Sequence, residues 1–171
     1  MPMYADITQA INVLLTMGPT AYSEIHGSRF FPSICGTALF YPLSAGTLLA
    51  VHGIGLPHTS AACGKSFFGF HIHAGSKCSG NDTDPFADAG AHYNPENCLH
   101  PHHAGDLPPL LGNNGEALTI FYIDSFLPEQ VIGHTLIIHE MPDNFVSQPS
   151  GDSGMKIACG EITLPPYGPR L

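Results

Sequence analysis

Short apolar runs separated by turn-forming residues dominate this sequence and limit the folds that it can adopt. Glycine and proline account for 19 and 16 of the 171 residues, so the chain turns often and long helices are disfavoured. The runs are rich in β-branched and aromatic residues, and no helical pattern separates them. Together these features favour an antiparallel sandwich or barrel. The clearest predicted strands span residues 34–41, 46–54, 66–73, 117–124, 134–139 and 155–162.

The charge balance excludes one broad class of function. Fourteen Asp and Glu residues against five Lys and Arg residues give a formal net charge of −9, whereas nucleic-acid binding needs clustered cations. A hydrophobic content of 43% supports one packed domain in a chain of this length. Histidine is the anomaly, because its 11 copies exceed all Lys and Arg residues together and imidazole is the commonest metal ligand in proteins.

Residues 1–20 form a predicted extension ahead of the strands. Ile7 and Ile11 recur at helical spacing, and Asp6 followed by Gln9 resembles a capping box. A short helix is therefore predicted here, with a loosely packed extension as the alternative. No run reaches the roughly 18–20 apolar residues that a membrane-spanning helix requires. No basic residue precedes the apolar segment 10–17, which argues against a secretory signal.

The cysteines leave the compartment and the disulfide pairing open. Five cysteines permit two disulfides with one thiol left over, and none forms a C-x-x-C pair. A thiolate zinc ribbon and a thioredoxin-like site are therefore disfavoured. Without a secretory signal we expect a cytoplasmic location, with an extracytoplasmic location as the alternative. The cysteines are Cys35, Cys63, Cys78, Cys98 and Cys159.

Two predicted strands end in histidines, on either side of a long segment without periodicity. In a compact domain a loop as long as 74–116 is usually functional or disordered. His71 and His73 alternate on a strand, so both imidazoles point to the same side and can reach one metal. An incidental pair on a wetted surface is the alternative. His139 closes another apolar run and, taken alone, is better explained as a core residue.

The long loop carries a second group of ligand-type residues. His92, His100, His103 and Asp106 offer three nitrogens and a carboxylate, a set that Zn²⁺ accepts. Copper(II) favours a tetragonal arrangement of imidazoles. Two four-ligand sites need eight positions, whereas the candidates number seven, so one imidazole would have to bind both metals. The spacing alone leaves open whether any histidine is shared.

Five stretches of the sequence together resemble the copper/zinc superoxide dismutase family. The resemblance runs from about residue 21 to 162 and is closest to the bacterial short-loop branch, in which a QPSG stretch like 148–151 also recurs. It implies an eight-stranded Greek-key β-barrel over residues 21–165, followed by a tail at 166–171. The stretches are 69–73 (GFHIH), 90–95 (GAHYNP), 103–108 (HAGDLP), 137–140 (IIHE) and 158–162 (ACGEI).

The resemblance also implies which residues bind metals. Copper would be bound by His71, His73, His92 and His139, and zinc by His92, His100, His103 and Asp106. His92 would then bridge the two metals, and the neighbouring His102 would be a loop residue without a ligand role.

Four further residues receive roles from the same resemblance. Asp143 would hydrogen-bond ligands of both metals and so fix their orientation. Cys78 and Cys159 would form a disulfide that holds the long loop to the barrel, while the other three cysteines have no family role. Lys156 stands where most of the family has arginine and would attract the anionic substrate as a flexible point charge.

The implied activity is the dismutation of superoxide to dioxygen and hydrogen peroxide with copper and zinc as cofactors, His92 and Lys156 being the residues that act on the substrate. A metal-binding module of the same fold with little or no turnover is the alternative. The stretch 151–154 (GDSG) resembles the nucleophile motif of trypsin-like proteases, but such proteases need two barrels and this chain has length for one. No nucleic acid and no membrane span are expected, and monomer and homodimer both stay open.

Overall fold

The computed structural model describes residues 6–59 and 66–166. Within these ranges the chain forms one α-helix, two 3₁₀ turns (Ala87–Ala89 and Pro128–Val131) and nine β-strands. The helix and strands are α1 Ile7–Thr16, β1 Ala21–Gly27, β2 Cys35–Leu43, β3 Gly46–Ile54, β4 Ser66–Phe68, β5 Phe70–His73, β6 Leu110–Gly112, β7 Ala117–Ile123, β8 Thr135–His139 and β9 Lys156–Thr163.

The strands form a curled antiparallel sheet that encloses one core. Seven strands follow the order β5-β8-β9-β1-β2-β3-β7, and β4 pairs with β6 beside them. Large side chains of this core, such as Phe40, Leu49, Phe70 and Leu136, are fully buried. Burying such side chains is the main favourable contribution to folding. The predicted all-β barrel is confirmed.

Gly69 divides one predicted strand into two. The run 66–73 was expected to be continuous, but β4 pairs with β6 whereas β5 pairs with β8. At the break, a Cβ on Gly69 would lie 2.8 Å from Cβ of Ser153, closer than side chains approach. The absence of a side chain lets the strand change partners here and join the two sheets, and the described strands therefore number nine rather than eight.

The predicted N-terminal helix is confirmed as α1. Asp6 caps it, because its Oδ1 accepts a hydrogen bond of 2.7 Å from the backbone N–H of Gln9. Val13 is buried against Tyr41 and neighbouring residues on β2 and β3, on the outer face of the sheet. The helix contacts the sheet mainly through Val13, whereas Ile7 and Ile11, whose spacing predicted it, are 79% and 50% exposed, so the alternative of a loosely packed extension stays open. No described helix is long and apolar enough to cross a membrane.

The proposed segment limits at 20 and 165 remain predictions, and residues 1–5 and 167–171 lie outside the described ranges.

Candidate metal centre

Two adjacent strands and the returning long loop place the predicted ligands together. Strand β5 pairs with β8 at the end of the sheet, with His71 opposite Ile137. The long loop folds back onto β5, because His71 forms an isolated bridge with Asp106, and His73 forms one with His92. Residues 35 and 19 positions apart in the sequence therefore become neighbours.

The ligand atoms of the seven predicted metal-binding residues fall into two groups. In each group the atoms lie within 4.8 Å of one another, as ligands of one cation must. His92 belongs to both groups. We call the first the four-histidine set, comprising His71, His73, His92 and His139, and the second the mixed set, comprising His92, His100, His103 and Asp106.

Backbone carbonyls fix the orientation of two imidazoles in the four-histidine set. His73 Nδ1 donates to the carbonyl oxygen of Gly90 at 2.8 Å, and His139 Nδ1 donates to that of Gly154 at 3.2 Å. Since Nδ1 carries the proton in each ring, each Nε2 presents a lone pair. The two Nε2 atoms face one another at 3.3 Å. Two facing lone pairs repel, and a cation that accepts both removes the repulsion.

Asp106 organises the mixed set. Its Oδ1 accepts from His92 Nδ1 at 2.7 Å, and its Oδ2 accepts from the backbone N–H of His103 at 2.9 Å. Burial alone would raise the pKa of Asp106, but these hydrogen bonds and the neighbouring imidazoles lower it to about 2. The side chain is therefore an anionic ligand at neutral pH, and the set offers three nitrogens and one carboxylate.

Asp143 accepts a hydrogen bond from one histidine of each set. Its Oδ2 accepts from His71 Nε2 at 2.8 Å, and its Oδ1 accepts from His100 Nε2 at 3.0 Å. Oδ1 also accepts from the backbone N–H of Phe145 at 2.6 Å. The carboxylate is buried, and Gly151 passes so close that a Cβ there would lie 1.9 Å from Oδ1. One side chain thus orients a histidine of each set, as the sequence resemblance implied.

Unpartnered buried nitrogens show that these residues fit metal ions. His71 Nδ1, His92 Nε2 and His100 Nδ1 are buried without a hydrogen-bond partner, which is unfavourable unless something binds them. His100 Nδ1 does lie 3.1 Å from Asp106 Oδ2, but not in hydrogen-bond geometry. All three belong to the predicted ligand sets. Four imidazoles suit copper(II), and three imidazoles with a carboxylate suit zinc.

Burial also keeps three imidazoles of the four-histidine set neutral, those of His71, His73 and His139. Burial, together with the charge of neighbouring imidazoles, lowers the pKa of His71 to about 2 and that of His139 to about 4. The pKa of His73 is lowered well below its usual value for the same reasons. Metal binding requires neutral imidazole, so these rings are ready to bind a cation at neutral pH.

Lys156 lies in the wall of a cavity that reaches the metal-binding residues. The cavity has a volume of about 900 Å³, and its lining includes His73, His92 and His139. Lys156 is opposite His139 in the β8–β9 ladder. Its Nζ donates to Oδ2 of Asp84 at 2.6 Å and to the carbonyl oxygen of Phe86 at 3.1 Å. No sequence motif singles out Asp84, whose only signal is its place in the acidic stretch 81–85.

Cys78 and Cys159 form the expected disulfide. Their Cα atoms are 5.6 Å apart, and the bond holds the start of the long loop to β9. Cys35 and Cys98 are free and exposed, and Cys63 lies outside the described residues. Disulfides persist mainly in oxidising compartments, so this bond favours the extracytoplasmic alternative over the expected cytoplasmic one. The compartment stays a prediction.

His102 is not among the ligands, and Ser153 of the protease-like stretch is not a nucleophile. His102 is exposed and belongs to neither ligand set. In the protease-like stretch 151–154, Ser153 is buried and its hydroxyl donates to the carbonyl oxygen of Ser150 at 2.7 Å. The stretch lies in the turn region before β9, and its serine is not exposed as a nucleophile.

Fold and site together define a metalloprotein in which a β-barrel carries two adjacent ligand sets. A family model described as copper/zinc superoxide dismutase matches residues 34–162, about three quarters of the sequence. The chain therefore belongs to the copper/zinc superoxide dismutase family. The enzyme class and the copper and zinc cofactors expected from the sequence agree with this membership.

Individual relatives agree with this assignment. A copper-zinc superoxide dismutase of Deinococcus radiodurans is 32% identical over 148 residues, which cover 74% of this chain and 76% of that protein. A second one, from Aquifex aeolicus, is 28% identical over 144 residues, covering 75% of this chain and 79% of that protein. The solved copper/zinc superoxide dismutase of Brucella abortus superposes with a TM-score of 0.68 at 25% identity and covers 82% of this chain and 98% of its own.

Proposed function

We propose that the protein dismutates superoxide at a copper ion held by the four-histidine set, with zinc held by the mixed set and His92 bridging the two. The shared position of His92 carries this proposal. Its Nδ1 lies beside Asp106 in the mixed set, and its Nε2 is buried and unpartnered. The ring lies 4.0 Å from that of His71, centroid to centroid, with the two planes tilted by 32°. One nitrogen is thus available to each set, which supplies the eighth ligand position.

The chemistry that copper supplies when bound is the alternate loss and gain of one electron, so that one superoxide is oxidised to dioxygen and a second, with two protons, is reduced to hydrogen peroxide. Zinc does not change its oxidation state and contributes charge and structure. The protein has to bind the anion, exclude competing ligands and deliver protons.

His92 is the residue that we assign to proton delivery. Its Nδ1 faces the mixed set beside Asp106 and would be held there by zinc, so the ring would keep its place while Nε2 alternately holds and releases a proton. Asp143 and the backbone carbonyls of Gly90 and Gly154 hold the other imidazoles in fixed tautomers meanwhile. A second proton must come from solvent through the cavity.

Lys156 is the residue that we assign to attracting the substrate. Its ammonium lies in the cavity wall and its side chain is only 15% exposed, so its field is less screened than that of a surface lysine. A local positive charge raises the encounter rate of a small anion even when the net charge of the protein is negative. Lysine lacks the planar fork of arginine, so other residues must fix its position.

The test is metal content, copper EPR and superoxide removal measured on the same purified protein. We expect one copper in a four-nitrogen environment, one zinc, and superoxide removal that persists in excess EDTA, which abolishes removal by the same concentration of free copper. Binding of both metals without turnover would contradict the proposal and support the metal-binding module. Lys156→Glu with both metals verified should lower the rate and reverse its dependence on salt, and an unchanged rate and salt dependence would refute the role of Lys156.

A further inference from the structure

The substrate-attracting lysine is already paired with a carboxylate of the same cavity. Asp84 lines the cavity, and its Oδ2 lies 2.6 Å from Lys156 Nζ. The carboxylate is 41% exposed and the lysine 15% exposed, so the pair is at the cavity wall and not in the core. An incoming anion therefore meets an ammonium group that has an internal anion bound to it.

The loop around Asp84 fixes the carboxylate in place. The side-chain oxygen of Asn81 accepts from the backbone N–H groups of Thr83 and Asp84, each at 2.9 Å. The other oxygen of Asp84, Oδ1, accepts from the backbone N–H of Phe86 at 3.0 Å. The carboxylate is thus held by the backbone independently of the lysine. Burial alone would raise the pKa of Asp84, but the hydrogen bond from Lys156 lowers it, and the group is ionised at neutral pH.

Counting donors shows what is left for a substrate. An ammonium group has three N–H donors, and two of those of Lys156 already bond to Asp84 and to the carbonyl oxygen of Phe86, which leaves one for a substrate. The other described cations are paired elsewhere, Arg29 with Asp82 at 2.9 Å and Lys77 with Glu161 at 3.2 Å. Among the described lining residues Lys156 is the only Lys or Arg, so the side chains of the cavity offer a single cationic group, and Asp84 partly neutralises it.

We propose that Asp84 competes with the anionic substrate for Lys156 and thereby sets the anion affinity of the cavity. Asp84 is a specificity-determining residue that acts through the lysine. Its carboxylate holds the ammonium in one position until an anion replaces it, and so supplies the positioning that the planar fork of an arginine would give. The same carboxylate neutralises part of the positive charge that the substrate meets. This inference rests on the proposed function, since it takes the substrate to be a small anion that enters this cavity.

Asp84→Asn is the variant that tests the competition. The amide has nearly the size of the carboxylate and keeps an oxygen for the backbone N–H of Phe86, but it lacks the charge. The copper-loaded parent and variant are titrated with azide, a small monovalent anion, and binding is followed by copper absorption and EPR. We expect the azide Kd of Asp84→Asn to be about two- to fivefold lower at low ionic strength, the range that a partly exposed ion pair accounts for. The difference should shrink in about 1 M salt.

Asp82→Asn is the matched control. It lies two residues away in the same loop and changes the net charge by the same amount, but its side chain is 98% exposed, pairs with Arg29 and does not line the cavity. Its azide Kd should equal that of the parent. An equal shift in both variants would show a general effect of net charge and overturn the proposal, as would an unchanged or higher Kd in Asp84→Asn.

A lysine-free background separates competition from direct repulsion. In Lys156→Gln, the further change Asp84→Asn should alter the azide Kd by less than half of its effect in the parent. A full effect without the lysine would mean that the carboxylate repels anions by itself, and the role through Lys156 would be wrong.

A metal-free measurement makes the inference independent of turnover. Acetylation of Lys156 in the metal-free protein, followed by peptide mass spectrometry with Lys77 as the internal reference, should be at least about twofold faster in Asp84→Asn than in the parent and unchanged in Asp82→Asn. An equal rate in all three proteins would overturn the pairing. Azide binding and acetylation need no dismutation, so loss of the proposed activity alone would leave both results interpretable.

Discussion

Replacing Asp143 by asparagine should weaken the copper site while leaving the zinc site nearly intact. The asparagine side chain has one oxygen and one amide nitrogen where aspartate has two oxygens. In the structure, Oδ1 accepts from both His100 Nε2 and the backbone N–H of Phe145, whereas Oδ2 accepts from His71 Nε2 alone. The amide oxygen will therefore take the position of Oδ1, and the amide nitrogen will face His71.

The consequence for His71 follows from its tautomer. With an N–H donor opposite Nε2, the ring avoids a donor–donor contact by moving its own proton to Nδ1, the buried nitrogen that has no partner. That proton occupies the lone pair that the four-histidine set needs. Loss of a carboxylate that orients a metal-binding histidine typically lowers metal affinity about 10- to 100-fold, which corresponds to about 1.4–2.8 kcal/mol.

The assay is competition with chelators of known affinity, measured separately for copper and zinc. We expect copper affinity to fall about 10- to 100-fold and zinc affinity to change by less than about threefold, because His100 keeps its acceptor. Asp152→Asn is the control, since Asp152 is an exposed carboxylate of the same loop and lies outside both ligand sets. Equal losses for the two metals, or no loss for copper, would refute the reasoning from the tautomer.

Three further changes test other parts of the structure. Removing the disulfide with Cys78→Ala and Cys159→Ala opens a ring whose ends are 81 residues apart, and it should lower the free energy of unfolding by about 4 kcal/mol in urea titrations. A loss below about 1 kcal/mol would contradict the expectation. Gly151→Ala places a Cβ at a φ of 69° and 1.9 Å from Asp143 Oδ1, so we expect it to destabilise the fold by more than about 1 kcal/mol and to weaken the binding of both metals, measured by dialysis. Wild-type affinities would show that the loop can move aside. Burial lowers the pKa of His139 from 6.5 to about 4, so at a pH between these values the unfolded chain binds a proton that the folded chain does not. As the pH falls through this range, the metal-free protein should lose about 1.4 kcal/mol of stability per pH unit for each such histidine. A constant urea midpoint over that range would contradict this expectation.

Local sequence patterns predicted most strands because each buries a run of apolar side chains. They failed where a strand depends on its partners. Strand β6, Leu110–Gly112, has only three residues and no recognisable period, and it exists because β4 lies beside it. The break at Gly69 likewise reflects the proximity of Ser153, 84 positions away in the sequence.

The ligand sets likewise combine features that the sequence pattern predicts with features that depend on tertiary contacts. The alternation of His71 and His73 on one strand follows from the strand period alone, and all seven proposed ligands are brought together in the structure. Spacing could not show that His92 belongs to both sets, because this depends on how the long loop returns to β5. The pairing of Lys156 with Asp84 joins residues 72 positions apart, and no pattern in either segment indicates it.

The disulfide also determines the covalent connectivity of the metal centre. Cys78 and Cys159 enclose a continuous stretch of chain that contains five of the proposed ligands, His92, His100, His103, Asp106 and His139, while His71 and His73 lie just before it. If one peptide bond between residues 79 and 158 is cleaved, the two fragments stay joined through sulfur. A single proteolytic cut between residues 79 and 116 of the long loop would therefore leave all seven ligands in one covalent molecule, and separating them requires either a second cut or reduction of the disulfide.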